Sequence, residues 1–145
     1  MYVRCVRAFL AAMLVGGLYA APVPAATKNF FAVLNSGQET PATDSNAFGV
    51  AFLTFDDKTL MLCYSITFFS LSSAEKAAHL HGPAAPGTPA AIIVALTPVP
   101  GDVKNACVTL PKKNKKDLKH GMTYLNIHTM KFGNGEIRGQ VIPAK

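Results

Sequence analysis

The chain has 145 residues, of which half are hydrophobic and 15% are charged, and its formal net charge is +6. This length is that of one domain with room for a hydrophobic core rather than several. The positive charge does not by itself predict a nucleic-acid partner, because the five lysines between Lys112 and Lys119 have no aromatic residues among them. We expect a solvated loop or short helix there and no nucleic-acid partner.

The first 25 residues have the pattern of a secretory signal peptide. Arg4 and Arg7 form a positive start, and an apolar stretch from Ala8 to Ala21 follows. Small residues then favour cleavage after Ala25. The apolar stretch is shorter than the roughly 20 residues that a membrane span needs, although an uncleaved anchor is the alternative. We therefore expect a secreted or periplasmic, cell-envelope protein without a transmembrane span after cleavage.

Eight runs of alternating or β-branched residues follow, separated by turn residues. Short strands at this spacing predict an all-β fold, a Greek-key antiparallel β-sandwich or barrel of about eight strands. The runs are Asn29–Leu34, Ala47–Phe55, Thr59–Phe69, Ala77–His81, Ala91–Leu96, Ala106–Leu110, Met122–Thr129 and Glu136–Ile142.

Three connections have recognisable local patterns. The sequence from Asp56 to Lys58 predicts a tight hairpin turn. Residues 82–89 contain three prolines and two glycines, so they must form a loop. The segment from Asn114 to His120 is predicted as a helix that Asn114 caps and Gly121 terminates in a left-handed conformation.

Cys63 and Cys107 are the only cysteines beyond the signal peptide. Both lie on the strand face opposite to the apolar residues of their own run, so their phases are compatible. Paired cysteines are usual in exported proteins. We predict a disulfide between them.

Histidines supply the candidate site. Because strand side chains alternate, His79 and His81 point to one face and Leu80 points to the other. The same alternation places Asn126 and His128 together, away from their apolar neighbours. We therefore predict an imidazole-based site on the outer face of the sheet.

The last predicted strand contributes polar residues to the same face. Glu136, Arg138 and Gln140 alternate with apolar residues, so they point away from the core. A two-residue turn at Asn134 would place His128 opposite an inward-facing residue, and cross-strand partners must share a face. We therefore expect an odd number of loop residues and a supporting polar network of Asn126, Glu136 and Arg138.

Two interpretations of the histidines remain open. Neighbouring imidazoles at i and i+2 can bind one ion, and imidazole ligands suit zinc or copper. His79, His81 and His128 would then be the metal ligands, with Glu136 or water as the fourth. Alternatively, the histidines form only a structural hydrogen-bond network.

No catalytic motif accompanies the histidines. The sequence has no nucleophile elbow, no Gly-rich phosphate loop and no His-Glu-x-x-His helix. The sequence therefore favours a binding module over an enzyme, and we assign no catalytic residue. Any catalysis would have to use a metal ion.

Several stretches resemble the chordin-domain (CHRD) family, in order over residues 28–143. They are Phe31–Pro41, Gly49–Ala51, Ala78–Ala84, Tyr124–Thr129 and Gly135–Gln140. The resemblance implies an extracellular or cell-envelope β-sandwich module that binds a protein or envelope component of unknown identity.

A second stretch, Thr67–Gly82, is similar to the copper-ligand region of Cu/Zn superoxide dismutase. That similarity implies a distantly superoxide-dismutase-like fold, with His79 and His81 matching paired copper ligands. The enzyme's zinc-ligand cluster has no counterpart here. Besides the exported binding module, two alternatives therefore stay open: a copper-dependent redox enzyme, and a structural or adhesive envelope domain without metal.

Overall fold

The computed structural model describes residues 27–96 and 103–145. Each of the eight predicted strands is present within these residues, and the predicted signal peptide lies outside them. The strands are β1 (Thr27–Asn35), β2 (Phe48–Asp56), β3 (Met61–Phe69), β4 (Glu75–His81), β5 (Ile92–Ala95), β6 (Val103–Thr109), β7 (Thr123–Thr129) and β8 (Ile137–Pro143). A helical turn (Lys112–Asn114) and the short helix α1 (Lys115–Lys119) precede β7.

The strands form one antiparallel sheet in the order β5-β4-β7-β8-β1-β2-β3-β6. The sheet curls into a nearly closed barrel, and across the gap between the edge strands β5 and β6 the order β7-β4-β5-β6 is a Greek key. The predicted all-β Greek-key architecture is confirmed. Within residues 27–96 and 103–145, no helix is long and apolar enough to cross a membrane.

One hydrophobic core fills the barrel. It is built from the alternate residues of each strand, as in β2, where Leu53 and Phe55 are buried while Phe52 and Thr54 point outward. The packed side chains come from both halves of the sheet, including Leu34, Ile66, Leu80, Leu125 and Ile137. The outer face of the sheet therefore carries the other set of alternate residues.

The predicted turn and helix are present, with one correction. Asp56 accepts hydrogen bonds from the backbone N–H groups of Lys58 and Thr59, at 2.8 and 3.0 Å, and so fixes the β2–β3 turn. Gly121 follows α1 with φ +69°, the predicted left-handed position. Asn114 occupies the N-cap position, but its side chain makes no capping bond and instead donates to Asp117 Oδ2 at 3.1 Å.

The predicted disulfide joins Cys63 and Cys107 on the outer face. The two residues are direct cross-strand partners in the β3–β6 pair and are separated by 44 residues in sequence. The bond therefore ties the edge strand β6 to its neighbour.

An ion pair inside the barrel links strands on either side of its open gap. Lys104 on β6 faces the core, and its Nζ lies 2.6 Å from Oε1 of Glu75 on β4. The side chains are only 1% and 7% exposed, and Lys104 also lies over the ring of Phe68. A buried ion of this kind is tolerated only while its partner is present.

Glu75→Gln is expected to lower the free energy of unfolding by about 3–5 kcal/mol, because it leaves the Lys104 ammonium buried without a counter-charge. The double variant Lys104→Met/Glu75→Leu should recover most of that loss. Urea unfolding followed by circular dichroism measures both. Asp57→Asn, which weakens the partly exposed pairs with Lys115 and Lys119, is the control and should leave the free energy of unfolding nearly unchanged. A loss of similar size in the control would contradict this role.

Candidate metal centre

Two rows of polar residues cross the outer face of β8, β7 and β4. Strand register determines the rows, because directly opposed residues in an antiparallel pair share a face. The β7–β8 pairing begins at Ile127 and Ile137 and leaves nine residues between them, the odd number predicted. The first row is Asn35, Arg138, Asn126 and His79, and the second is Gln140, Tyr124 and His81.

The centre of these rows is buried, although the rows lie on the outer face of the sheet, as predicted. Arg138 is 2% exposed and Asn126 is 3% exposed, although both point away from the hydrophobic core. The cover consists of two segments, the loop of residues 82–91 and the segment of residues 36–47. Sequence alternation assigned the face correctly, but it does not predict which loops fold over a face.

Arg138 holds both covering segments. Its Nη2 donates to the carbonyl oxygens of Thr88 at 2.9 Å and Ala85 at 3.4 Å, and its Nη1 donates to Thr40 Oγ1 at 3.4 Å. The guanidinium also stacks on Tyr124, with Cζ 3.5 Å from the ring centroid. A planar group with several donors suits this combination of stacking and carbonyl contacts.

The structure brings the three predicted histidines together beneath this cover. Nδ1 of His79 lies 3.0 Å from Nε2 of His128, and one candidate ligand nitrogen from each of His79, His81 and His128 lies within 4.8 Å of the others. His79 is opposite Asn126 in register, so His128 is its diagonal neighbour on β7. His81 stacks on Tyr124 with 4.8 Å between ring centroids.

Backbone carbonyls fix the proton positions on two of the rings. His81 Nδ1 lies 2.9 Å from the carbonyl oxygen of Ala90, and His128 Nδ1 lies 3.1 Å from that of Gly133. A carbonyl oxygen only accepts, so each Nδ1 carries the proton and each Nε2 presents a lone pair. The Nε2 of His81 is buried and has no hydrogen-bond partner.

All three imidazoles are held neutral. Burial and, to a smaller extent, the neighbouring imidazoles of His128 and His81 together lower the pKa of His79 to about 4. Burial also lowers the pKa values of His81 and His128, against the effect of their carbonyl hydrogen bonds. Neutral imidazole is the form that binds a metal ion, so the cluster needs no deprotonation at neutral pH.

The nitrogen positions approach those of a metal site. Two nitrogens bound to one tetrahedral ion at 2.0–2.1 Å lie about 3.3 Å apart. The His79–His128 separation of 3.0 Å is close to this value, and a candidate nitrogen of His81 lies within 4.8 Å of candidate nitrogens of both. Metal-bound histidines also usually donate their other ring N–H to a carbonyl oxygen or carboxylate, as His81 and His128 do here.

Glu136 does not join the histidines, so of the two predicted fourth ligands, Glu136 and water, the structure does not support Glu136. Its carboxylate accepts from Ser45 Oγ at 2.6 Å, Thr129 Oγ1 at 2.6 Å and the backbone N–H of Ser72 at 2.7 Å. The residue precedes the first residue of β8, so the strand alternation that would point it outward does not extend to it. Asn126 and Arg138 form the supporting network without it.

Sequence reasoning missed Glu39 as a member of this network. Asn126 Nδ2 donates to Glu39 Oε1 at 2.5 Å, and a side chain at Gly135 would collide with both groups. Burial raises the pKa of Glu39 to about 7, against the opposing effects of the Arg138 charge and the Asn126 hydrogen bond. Glu39 lies in a segment without strand periodicity, so no local pattern identifies it.

Comparison with known proteins agrees with this architecture. The family model of the CHRD domain matches residues 30–141. No curated protein and no solved structure matches the chain. The chain therefore belongs to the CHRD domain family.

Glu39→Gln is expected to alter how stability depends on pH. The folded-state pKa of about 7 lies above the ordinary glutamate value of 4.5, so between these values the folded protein holds a proton that the unfolded chain has lost. Stability from Glu39 therefore decreases as pH rises from 4.5 to 7. Urea unfolding at pH 5 and pH 8 should show the variant gaining stability relative to the wild type at the higher pH. An unchanged difference at the two pH values would contradict the raised pKa.

Proposed function

We propose that this CHRD domain binds a single copper or zinc ion through His79, His81 and His128. The observation that carries the proposal is the buried, unpartnered Nε2 of His81, beside two further imidazole nitrogens within 4.8 Å. Buried polar atoms nearly always have a partner, and one without a partner at such a site points to a missing ligand. Three imidazoles in a cluster favour a borderline metal ion over calcium or magnesium.

Binding would leave the Nδ1 protons of His81 and His128 where they already are and would rearrange only His79, whose Nδ1–H now donates to His128 Nε2. His81 and His128 keep their Nδ1–H bonds to carbonyl oxygens and offer Nε2 to the ion. His79 gives up its hydrogen bond to His128 and offers a ring nitrogen instead. Because Glu136 is bonded elsewhere, the fourth position falls to water or to a group from a bound partner.

The structural hydrogen-bond network is the rival function for the same residues. The 3.0 Å contact between His79 and His128, together with the two carbonyl bonds, supports it. The network leaves Nε2 of His81 unsatisfied, whereas a metal ion would satisfy it. We therefore favour the metal.

Export is part of the proposal, because copper and zinc binding by a disulfide-linked module suits an oxidising compartment. The basic start and short apolar stretch of residues 1–25 support it. The protein would act outside the cytoplasm as a binding module rather than as an enzyme.

Isothermal titration of the purified protein with zinc and copper should give one bound ion per chain. His81→Gln and His128→Gln should each weaken metal binding by about 100-fold or more, since each removes one of three ligands, and losing a group that only hydrogen-bonds to a ligand typically costs about 10–100-fold. Elemental analysis of the untreated protein provides an independent stoichiometry.

His120→Gln is the matched control, because His120 lies at the end of α1, outside the cluster. The affinity of His120→Gln for zinc and copper should equal that of the wild type. The absence of stoichiometric metal in the wild type, or equal affinities for His81→Gln and His120→Gln, would leave the structural network as the function of these residues.

Expression of the complete sequence should yield a protein that starts after Ala25 or Ala26 and is recovered from the periplasmic or secreted fraction. Fractionation followed by intact-mass measurement tests this. A protein of full mass in the cytoplasmic or membrane fraction would contradict export.

A further inference from the structure

The other half of the outer face is apolar, and no segment within residues 27–96 and 103–145 covers it. It belongs to β1, β2, β3 and β6, with one residue from β8, and eight large hydrophobic side chains point outward from it. Their exposed fractions run from 37% at Phe31 to 66% at Phe52. We call these residues the apolar face: Phe31, Val33, Phe48, Val50, Phe52, Phe69, Val103 and Ile142.

Strand register organises the apolar face into adjacent rows. Ile142, Phe31 and Phe52 are cross-strand neighbours and form an aromatic-rich row. Val33 pairs with Val50 in the next row, which Thr67 and Val103 continue. The third row contains Phe48 and Phe69, stacked with 5.2 Å between ring centroids. The row of smaller β-branched residues thus lies between two rows of larger aromatic side chains, which protrude further from the sheet.

The apolar face is large enough to form a stable interface. With about 200 Å² for a whole Phe side chain, the exposed fractions correspond to on the order of 700 Å² of apolar surface. Monomeric proteins rarely expose contiguous apolar patches of more than a few hundred Å². A standard interface buries about 800 Å² per partner, so this face alone supplies most of that area.

The chemistry of the apolar face favours one kind of partner. The residues that β1, β2, β3 and β6 add to these rows are uncharged, including Ser65, Thr67 and Asn105. An uncharged face offers no attraction to an acidic peptide or an anionic lipid surface. Five of its eight apolar residues lie inside strands, and the other three, Phe48, Phe69 and Val103, lie at strand ends, so none lies on a protruding loop of the kind that inserts into membranes.

We propose that the apolar face binds the same face of a second copy of this chain, giving a two-fold symmetric dimer. A two-fold axis between the first two rows sets the ridge of Phe31 and Phe52 against the valley of Val33 and Val50 of the other copy, and the reverse contact follows by symmetry. The surface is therefore complementary to itself in shape and in its lack of charge. The dimer places both histidine clusters outside the interface, since they lie on the other half of the sheet.

Sedimentation velocity of the purified protein, expressed from the complete sequence and with its N-terminus determined by mass spectrometry, tests the proposal. The wild type should sediment as a dimer at micromolar concentration. Phe52→Lys should shift the protein to the monomer, with a dimer dissociation constant at least 100-fold larger, because the substitution buries an unpaired charge at the centre of the face. Phe52 is the most exposed residue of the face, so its replacement leaves the core unchanged, as thermal unfolding can verify.

Met130→Lys is the matched control, since Met130 is 69% exposed but lies after β7, outside the apolar face. It should remain dimeric. A wild type that stays monomeric at 100-fold higher concentration, or a dimer that persists in Phe52→Lys, would overturn the proposal. Co-sedimentation of the wild type with neutral phosphatidylcholine vesicles, lost in Phe52→Lys, would overturn it in favour of a membrane surface.

Discussion

The arrangement of the histidine site depends on the buried guanidinium of Arg138. A buried cation without partners would cost several kcal/mol, so its contacts with Thr88, Ala85, Thr40 and Tyr124 are a condition of the fold. Those contacts draw residues 82–91 and 36–47 over the polar rows. The cover removes water from the imidazoles, lowers their pKa values and supplies the carbonyl oxygen of Ala90 that fixes the proton on His81. The Arg138 guanidinium thus holds in place the segments that keep the imidazoles neutral.

The outer surface of the barrel has a polar half and an apolar half. On β8, β7 and β4, outward residues are polar and lie beneath loops that their own hydrogen bonds hold in place. On β1, β2 and β3, most of the large outward side chains are apolar, and none of the described segments covers them. Both sets follow from the same alternation, in which inward residues fill a single core. The proposed metal centre and the proposed dimer face can therefore coexist without competing for surface.

Strand phase made much of this structure predictable from the sequence. The eight strands, the disulfide, the odd-length β7–β8 connection and the convergence of His79, His81 and His128 all follow from which side chains share a face. The burial of the site was not predictable in this way, because it rests on hydrogen bonds from Arg138 to carbonyl groups about 50 residues earlier in the chain. The predicted direction of Glu136 was wrong and the role of Glu39 was missed for a related reason. Both residues lie outside strands, where periodicity does not determine the direction of a side chain.

The central claim is that three neutral imidazoles present their lone pairs to one ion, and long-range ¹H–¹⁵N NMR of the histidine side chains tests it most directly. At pH 7 without metal, His81 and His128 should appear as neutral rings protonated at Nδ1. One equivalent of zinc should then shift the Nε2 resonances of both rings and a ring nitrogen of His79, and leave His120 unchanged. Imidazolium rings, rings protonated at Nε2, or spectra that zinc does not alter would contradict the claim.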